Sequence, residues 1–75
     1  MLINIEADIL LYQAGPLNRN EIGLVVAIHD DFITAMVDDL STGEELFIHV
    51  DRKGIKEDKN GELFVTPNHW SIIKE

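Results

Sequence analysis

The stretch that decides the fold is Gly23 to Leu40, GLVVAIHDDFITAMVDDL. With the preceding Ile22, it places Leu24, Val26 and Ile28 in alternation with Gly23, Val25, Ala27 and His29. After two aspartates, Ile33, Ala35 and Val37 alternate with Phe32, Thr34, Met36 and Asp38. A period of two in β-branched residues is the signature of strands. A two-residue loop at Asp30-Asp31 pairs Ile28 with Ile33, Val26 with Ala35 and Leu24 with Val37, so one face is wholly apolar. Slipping either strand by one residue would destroy that agreement, so pattern and loop length support one register independently. The same register pairs His29 with Phe32, Ala27 with Thr34 and Val25 with Met36. This second face is also largely apolar, and something is expected to cover part of it: another strand, a second copy or a partner.

Beyond the hairpin, Asp38 to Glu45 (DDLSTGEE) reads as a turn with Thr42-Gly43 at its tip. Pairing across it matches Val37 with Ile48 and Ala35 with Val50. Leu46, Ile48 and Val50 then join the core face, and Phe47 and His49 join Met36 and Val25 on the other. Upstream, Met1 to Tyr12 fits two short strands or one bent strand. A helix with Ile5, Ile9 and Tyr12 on one face is the alternative, disfavoured by the β-branched residues and the breaker Gly15-Pro16. Gln13 to Glu21 (QAGPLNRNE) reads as a loop. Downstream, Asp51 to Lys59 is an exposed connection or weak edge strand. Asn60-Gly61 signals a type I′ turn between Lys56 to Lys59 and Glu62 to Thr66. Asn68 to Glu75 is a short turn and a last strand, with Trp70 and Ile72 on one face and Ser71 and Ile73 on the other.

Five to six short strands in 75 residues, with no repeat or linker, predict one all-β domain over 1–75: a small antiparallel barrel or a strongly bent sheet. The order of a strand, a long loop, a three-strand meander and a last short strand after a tight turn resembles the SH3-like small barrels of the Tudor and KOW kind. Within the central hairpin, Gly23, Val25, Ile28, Asp31 and Val37 are placed like the glycine, alternating aliphatics and turn aspartate of those folds. The resemblance covers about a quarter of the chain. It departs in having no evident aromatic cage and in its additional hairpin at Asn60-Gly61, so no binding residues carry over.

The chain has no cysteine, which excludes disulfides and thiolate metal sites and fits a reducing compartment. Its apolar runs fall far short of the roughly 20 residues of a membrane span, and MLINIEADILLY does not read as a signal peptide. A soluble cytoplasmic protein is expected, with no membrane partner. Fourteen acidic residues stand against six basic ones, for a net charge of −8. The acidity is uneven. Met1 to Asp51 holds ten acids and the single base Arg19. That balance disfavours direct nucleic-acid binding, which needs clustered cations, and is compatible with a basic partner or with solubility alone.

Among chemical constellations, His29 and His49 share the predicted second face, and with Asp30, Asp31 and Asp51 they have the donor types of a zinc site. None of the short ligand spacings is present, so surface histidines are the preferred reading and no metal or cofactor is expected. The pairs Asp30-Asp31, Asp38-Asp39 and Glu44-Glu45 point to opposite faces wherever they lie in strands, so they form no acid–base dyad, and at turns they are ordinary solvated acids. Neither a nucleophile motif nor a phosphate-binding loop occurs. Arg52, Lys53, Lys56 and Lys59 are interrupted by Glu57 and Asp58, and read as a solvated edge.

No catalytic residue is therefore assigned. The expectation is a non-enzymatic interaction or adaptor module that binds itself or a protein partner. Its candidate partner-binding residues are Val25, Met36, Phe47 and His49, rimmed by Asp38 and Glu45. The alternative is an acidic inhibitor that mimics nucleic-acid phosphates toward a basic protein.

Overall fold

The computed structural model describes residues 3–12, 20–39 and 42–73. Seven strands form one sheet: β1 (Asp8–Leu11), β2 (Glu21–Ile28), β3 (Phe32–Asp39), β4 (Glu44–Asp51), β5 (Ile55–Glu57), β6 (Leu63–Val65) and β7 (Trp70–Ile72). Two 3₁₀ turns, η1 (Arg52–Gly54) and η2 (Pro67–His69), precede β5 and β7. The spatial order is β5-β6-β1-β2-β3-β4-β7, and the sheet curls into a half-barrel compatible with an SH3-like small barrel. The all-β expectation holds, with two corrections. Among the described residues there are seven strands rather than five or six, and the sheet is not purely antiparallel, because β1 and β6 run parallel with Ile9 opposite Leu63 and Leu11 opposite Val65.

The central hairpin turns at Asp30-Asp31 as the pattern requires, with the His29 N–H donating to the Phe32 carbonyl at 2.9 Å. Ile28 lies opposite Ile33 and Ala27 opposite Thr34, but the register then shifts, placing Val25 opposite Ala35 and Leu24 opposite Met36. A β-bulge at Val26 is the cause, since one extra residue on β2 exchanges the faces of everything before it. Leu24 therefore does not pair with Val37, nor Val26 with Ala35. Gly23 and Val25 face inward instead, Val25 fully buried.

The exchange has a steric basis. A Cβ on Gly23 would sit 3.3 Å from the Ala35 Cβ and 3.4 Å from the Leu11 Cδ1, so the inside of the curl at this point has room only for small groups. From the segment before β1, the Glu6 N–H donates to the Val25 carbonyl at 2.8 Å, and the Val25 N–H donates to the Ala7 carbonyl at 2.9 Å. These bonds hold the bulged strand from its second side.

Strands β3 and β4 keep the expected faces but differ in register by two residues. Val37 lies opposite Leu46 and Ala35 opposite Ile48, because the strands continue to Asp39 and Glu44 and shorten the turn. Ile33, Ala35, Val37, Ile48 and Val50 are buried, together with Ile9, Leu11 and Val65 from the other half of the sheet. Trp70 and Ile72 do share a face: Trp70 is buried opposite Val50, and Ile72 packs on the core.

The hairpin β5–β6 is not closed by a type I′ turn. Gly61 has φ +82° while Asn60 does not have a positive φ, and the Asp58 N–H reaches the Glu62 carbonyl across a three-residue loop. The Asp58 carboxylate takes over the turn, accepting from the Asn60 N–H at 2.8 Å and the Glu62 N–H at 2.9 Å. Of the expected loop from Gln13 to Glu21, residues 13–19 lie outside the described residues, as do Leu40 and Ser41 of the second turn.

Candidate interaction face

Alternation along each strand and the observed register together fix what the convex side of the half-barrel presents. Leu10 of β1 lies opposite Ile22 of β2, Leu24 opposite Met36 of β3, and Met36 opposite Phe47 of β4. The Phe47 carbonyl then accepts from the N–H of Ile73, just past β7, at 2.9 Å. Apolar side chains thus cross the outer face from strand to strand. Ile22 is 64% exposed, Phe47 45% and Ile73 42%. On the far side, Leu10 is opposite Phe64 of β6, whose ring meets Tyr12 edge to face at 5.8 Å. Leu10, Leu24 and Met36 between them are half-buried, and a continuous outer apolar belt of this kind on a small domain is a surface suited to association.

Carboxylates border the belt. Asp8 is opposite Leu24, and Asp38, two residues beyond Met36, is directly opposite Glu45, two residues before Phe47. Like charges directly opposed across a ladder are unfavourable, by about 0.2–1 kcal/mol a pair. Among the described residues, no ion pair offsets Asp38 or Glu45.

Of the sequence-derived residues, Met36 and Phe47 stand side by side on this face, and Asp38 and Glu45 lie at its rim. Val25 does not belong: the bulge turns it into the core opposite Ala35, where it is fully buried. Its place is taken by Leu24 and Ile22, assigned to the core by simple alternation. Gly23 was the one available signal, because an interior glycine in a strand marks a bulge or a close approach of backbones.

His49 is on the outer face but in a separate group. The His29 and Phe32 rings stack at 4.2 Å with 23° between planes, and Phe32 and His49 stack at 4.2 Å with 25°. The phenyl ring stands between the two imidazoles, so they do not converge on a shared ion. His69 packs on Gly54 of η1 and, with His49 and Asp51, borders a shallow hollow beside Trp70. Arg52 is absorbed by the fold: its Nη1 donates to the His29 carbonyl at 2.7 Å and its N–H to the Asp31 carbonyl at 3.1 Å. Asp51 caps η1, accepting from the Lys53 N–H at 3.0 Å.

Two adjoining hollows, of about 420 and 480 Å³, share Leu10 and Ile22 as their common floor. Asp8, Glu57 and Glu62 line the first, and Glu21 and Asp38 the second. Compared with known proteins, the chain matches no family model, no curated protein sequence and no solved structure.

Proposed function

We propose that this chain is a non-enzymatic interaction module, a half-barrel of the SH3-like kind, that associates with itself or with a protein partner through its convex face. The observation that supports this most is the belt from Leu10 through Ile22, Leu24, Met36 and Phe47 to Ile73, apolar on the outside of a sheet whose inside is already filled. Methionine and aromatic side chains are enriched at the centres of such interfaces and carboxylates are relegated to their rims, which is the arrangement here. Nothing in the sequence brings a nucleophile and a base together, and the acids cluster at strand ends and turns.

The reading is tested by solution mass from light scattering, and by binding of whichever partner is found, for the native chain and for Met36→Asp and Phe47→Asp. Both side chains face outward, so the variants should keep β-type far-UV circular dichroism while association is lost. Association unchanged in both folded variants would show that this face is not the interface.

A further inference from the structure

We infer that the trough over Leu10 and Ile22 receives a basic segment of another protein, lysine or arginine side chains lying along its floor, in preference to a second copy of this chain. The inference rests on the interaction reading above and names the occupant of one part of that face. The two hollows meet at Leu10 and Ile22, and each is within the volume range of pockets that hold small ligands or single side chains. Ile22 is the most exposed large apolar side chain among the described residues. Among the described residues, the charged side chains that line the hollows are acidic, with Asp8, Glu57 and Glu62 on one side and Asp38 on the other.

An apolar floor between carboxylate walls matches one kind of side chain, an aliphatic stem ending in a cation. Other occupants fit poorly. A second copy would bring the same carboxylates toward these, on a chain of net charge −8, and like charges across an interface oppose association. Nucleic acid is repelled for the same reason.

One wall is also held in a strained shape. Asn4 to Ala7 form a turn closed by the Ala7 N–H to the Asn4 carbonyl at 3.1 Å, with Glu6 at φ +70°, and the Glu6 N–H is fixed to the Val25 carbonyl. Asn4 and Ala7 both line the first hollow. Backbone strain kept in place by surrounding bonds at the edge of a cleft is a common companion of a preformed binding wall.

The test uses the full chain and a short fluorescent peptide of alternating lysine and alanine, followed by anisotropy at low and high salt. A norleucine-for-lysine peptide and a glutamate-for-lysine peptide serve as comparisons. The lysine peptide should bind, weaken with added salt, and bind better than both comparisons by about tenfold or more. Ile22→Ser, and separately Asp8→Asn with Glu62→Gln, should each weaken it by about tenfold, whereas Asp30→Asn at the opposite end of β2 should leave it within about twofold. Equal binding of the lysine and norleucine peptides, or unchanged binding in both trough variants, would overturn the proposal. If the lysine peptide fails to bind while Phe47→Asp still abolishes an association seen by light scattering, the basic occupant is wrong and the interaction module stands. If neither is seen, both fall.

Discussion

Gly54 shows how little tolerance single positions have in so small a core. A methyl group there would overlap the Cβ and Cγ of His69 and lie 2.7 Å from its Nδ1, and atoms that near the backbone cannot swing aside. Gly54→Ala should cost about 1–3 kcal/mol, the usual cost of forcing extra volume into a packed site, read as a lower urea midpoint with unchanged slope. Glu6 is the opposite case. Its φ of +70° in the turn Asn4 to Ala7 is a conformation that glycine adopts freely and glutamate does not. Glu6→Gly should therefore raise the melting temperature, by about 4–8 °C if 1 kcal/mol is recovered, while Glu6→Ala gives no such gain. A loss of stability in Glu6→Gly would show that the side chain itself holds the turn.

At the scale of elements, the two-residue loop at Asp30-Asp31 and the faces of β3 and β4 were readable because alternation and loop length agreed there. Hence Met36, Phe47, Asp38 and Glu45 were placed correctly on the outer side. Strand β2 was not readable in the same way. Ile22, Leu24, Val26 and Ile28 form one apolar set, and Val25 and Ala27 leave the other nearly as apolar, so hydrophobicity could not reveal a mid-strand exchange of faces. The deciding residues were small ones, Gly23 and Ala35, whose closeness becomes visible only when the sheet is curled.

The β5–β6 hairpin was legible as a hairpin, but its turn type was not, because the Asp58 carboxylate outweighed the dipeptide preference of Asn60-Gly61. Asp58→Ala removes both side-chain acceptor bonds, to the N–H groups of Asn60 and Glu62, and should cost about 1–2 kcal/mol. Gly61→Ala, at φ +82°, should cost about 1 kcal/mol through strain alone. Hydrogen exchange at Lys56 to Phe64 should accelerate in the Asp58 variant more than exchange in β3. Uniform acceleration would mean that the hairpin opens only with the whole domain.

Taken whole, the molecule carries a net charge of −8 on 75 residues, with Asp38 and Glu45 facing one another between β3 and β4. Self-repulsion of this kind is relieved by screening, so moderate sodium chloride should raise the melting temperature by a few degrees. A fall would indicate that attractive ion pairs dominate instead. The inner apolar face is sealed by the curl of the sheet, and the outer belt is left at the surface. The division between an inside and an outside is set by the bulge, which turns Val25 inward and leaves its neighbour Leu24 outward. The most direct test is thermal unfolding of Leu24→Lys and Val25→Lys, compared with the native chain. Leu24→Lys should fold and melt within a few degrees of it, since Leu24 is half-buried beside Asp8 on the outer face, whereas Val25→Lys should show no cooperative transition because it buries a charge in the core. A folded Val25→Lys alongside an unfolded Leu24→Lys would contradict the account, putting Leu24 inside and removing it from the outer belt.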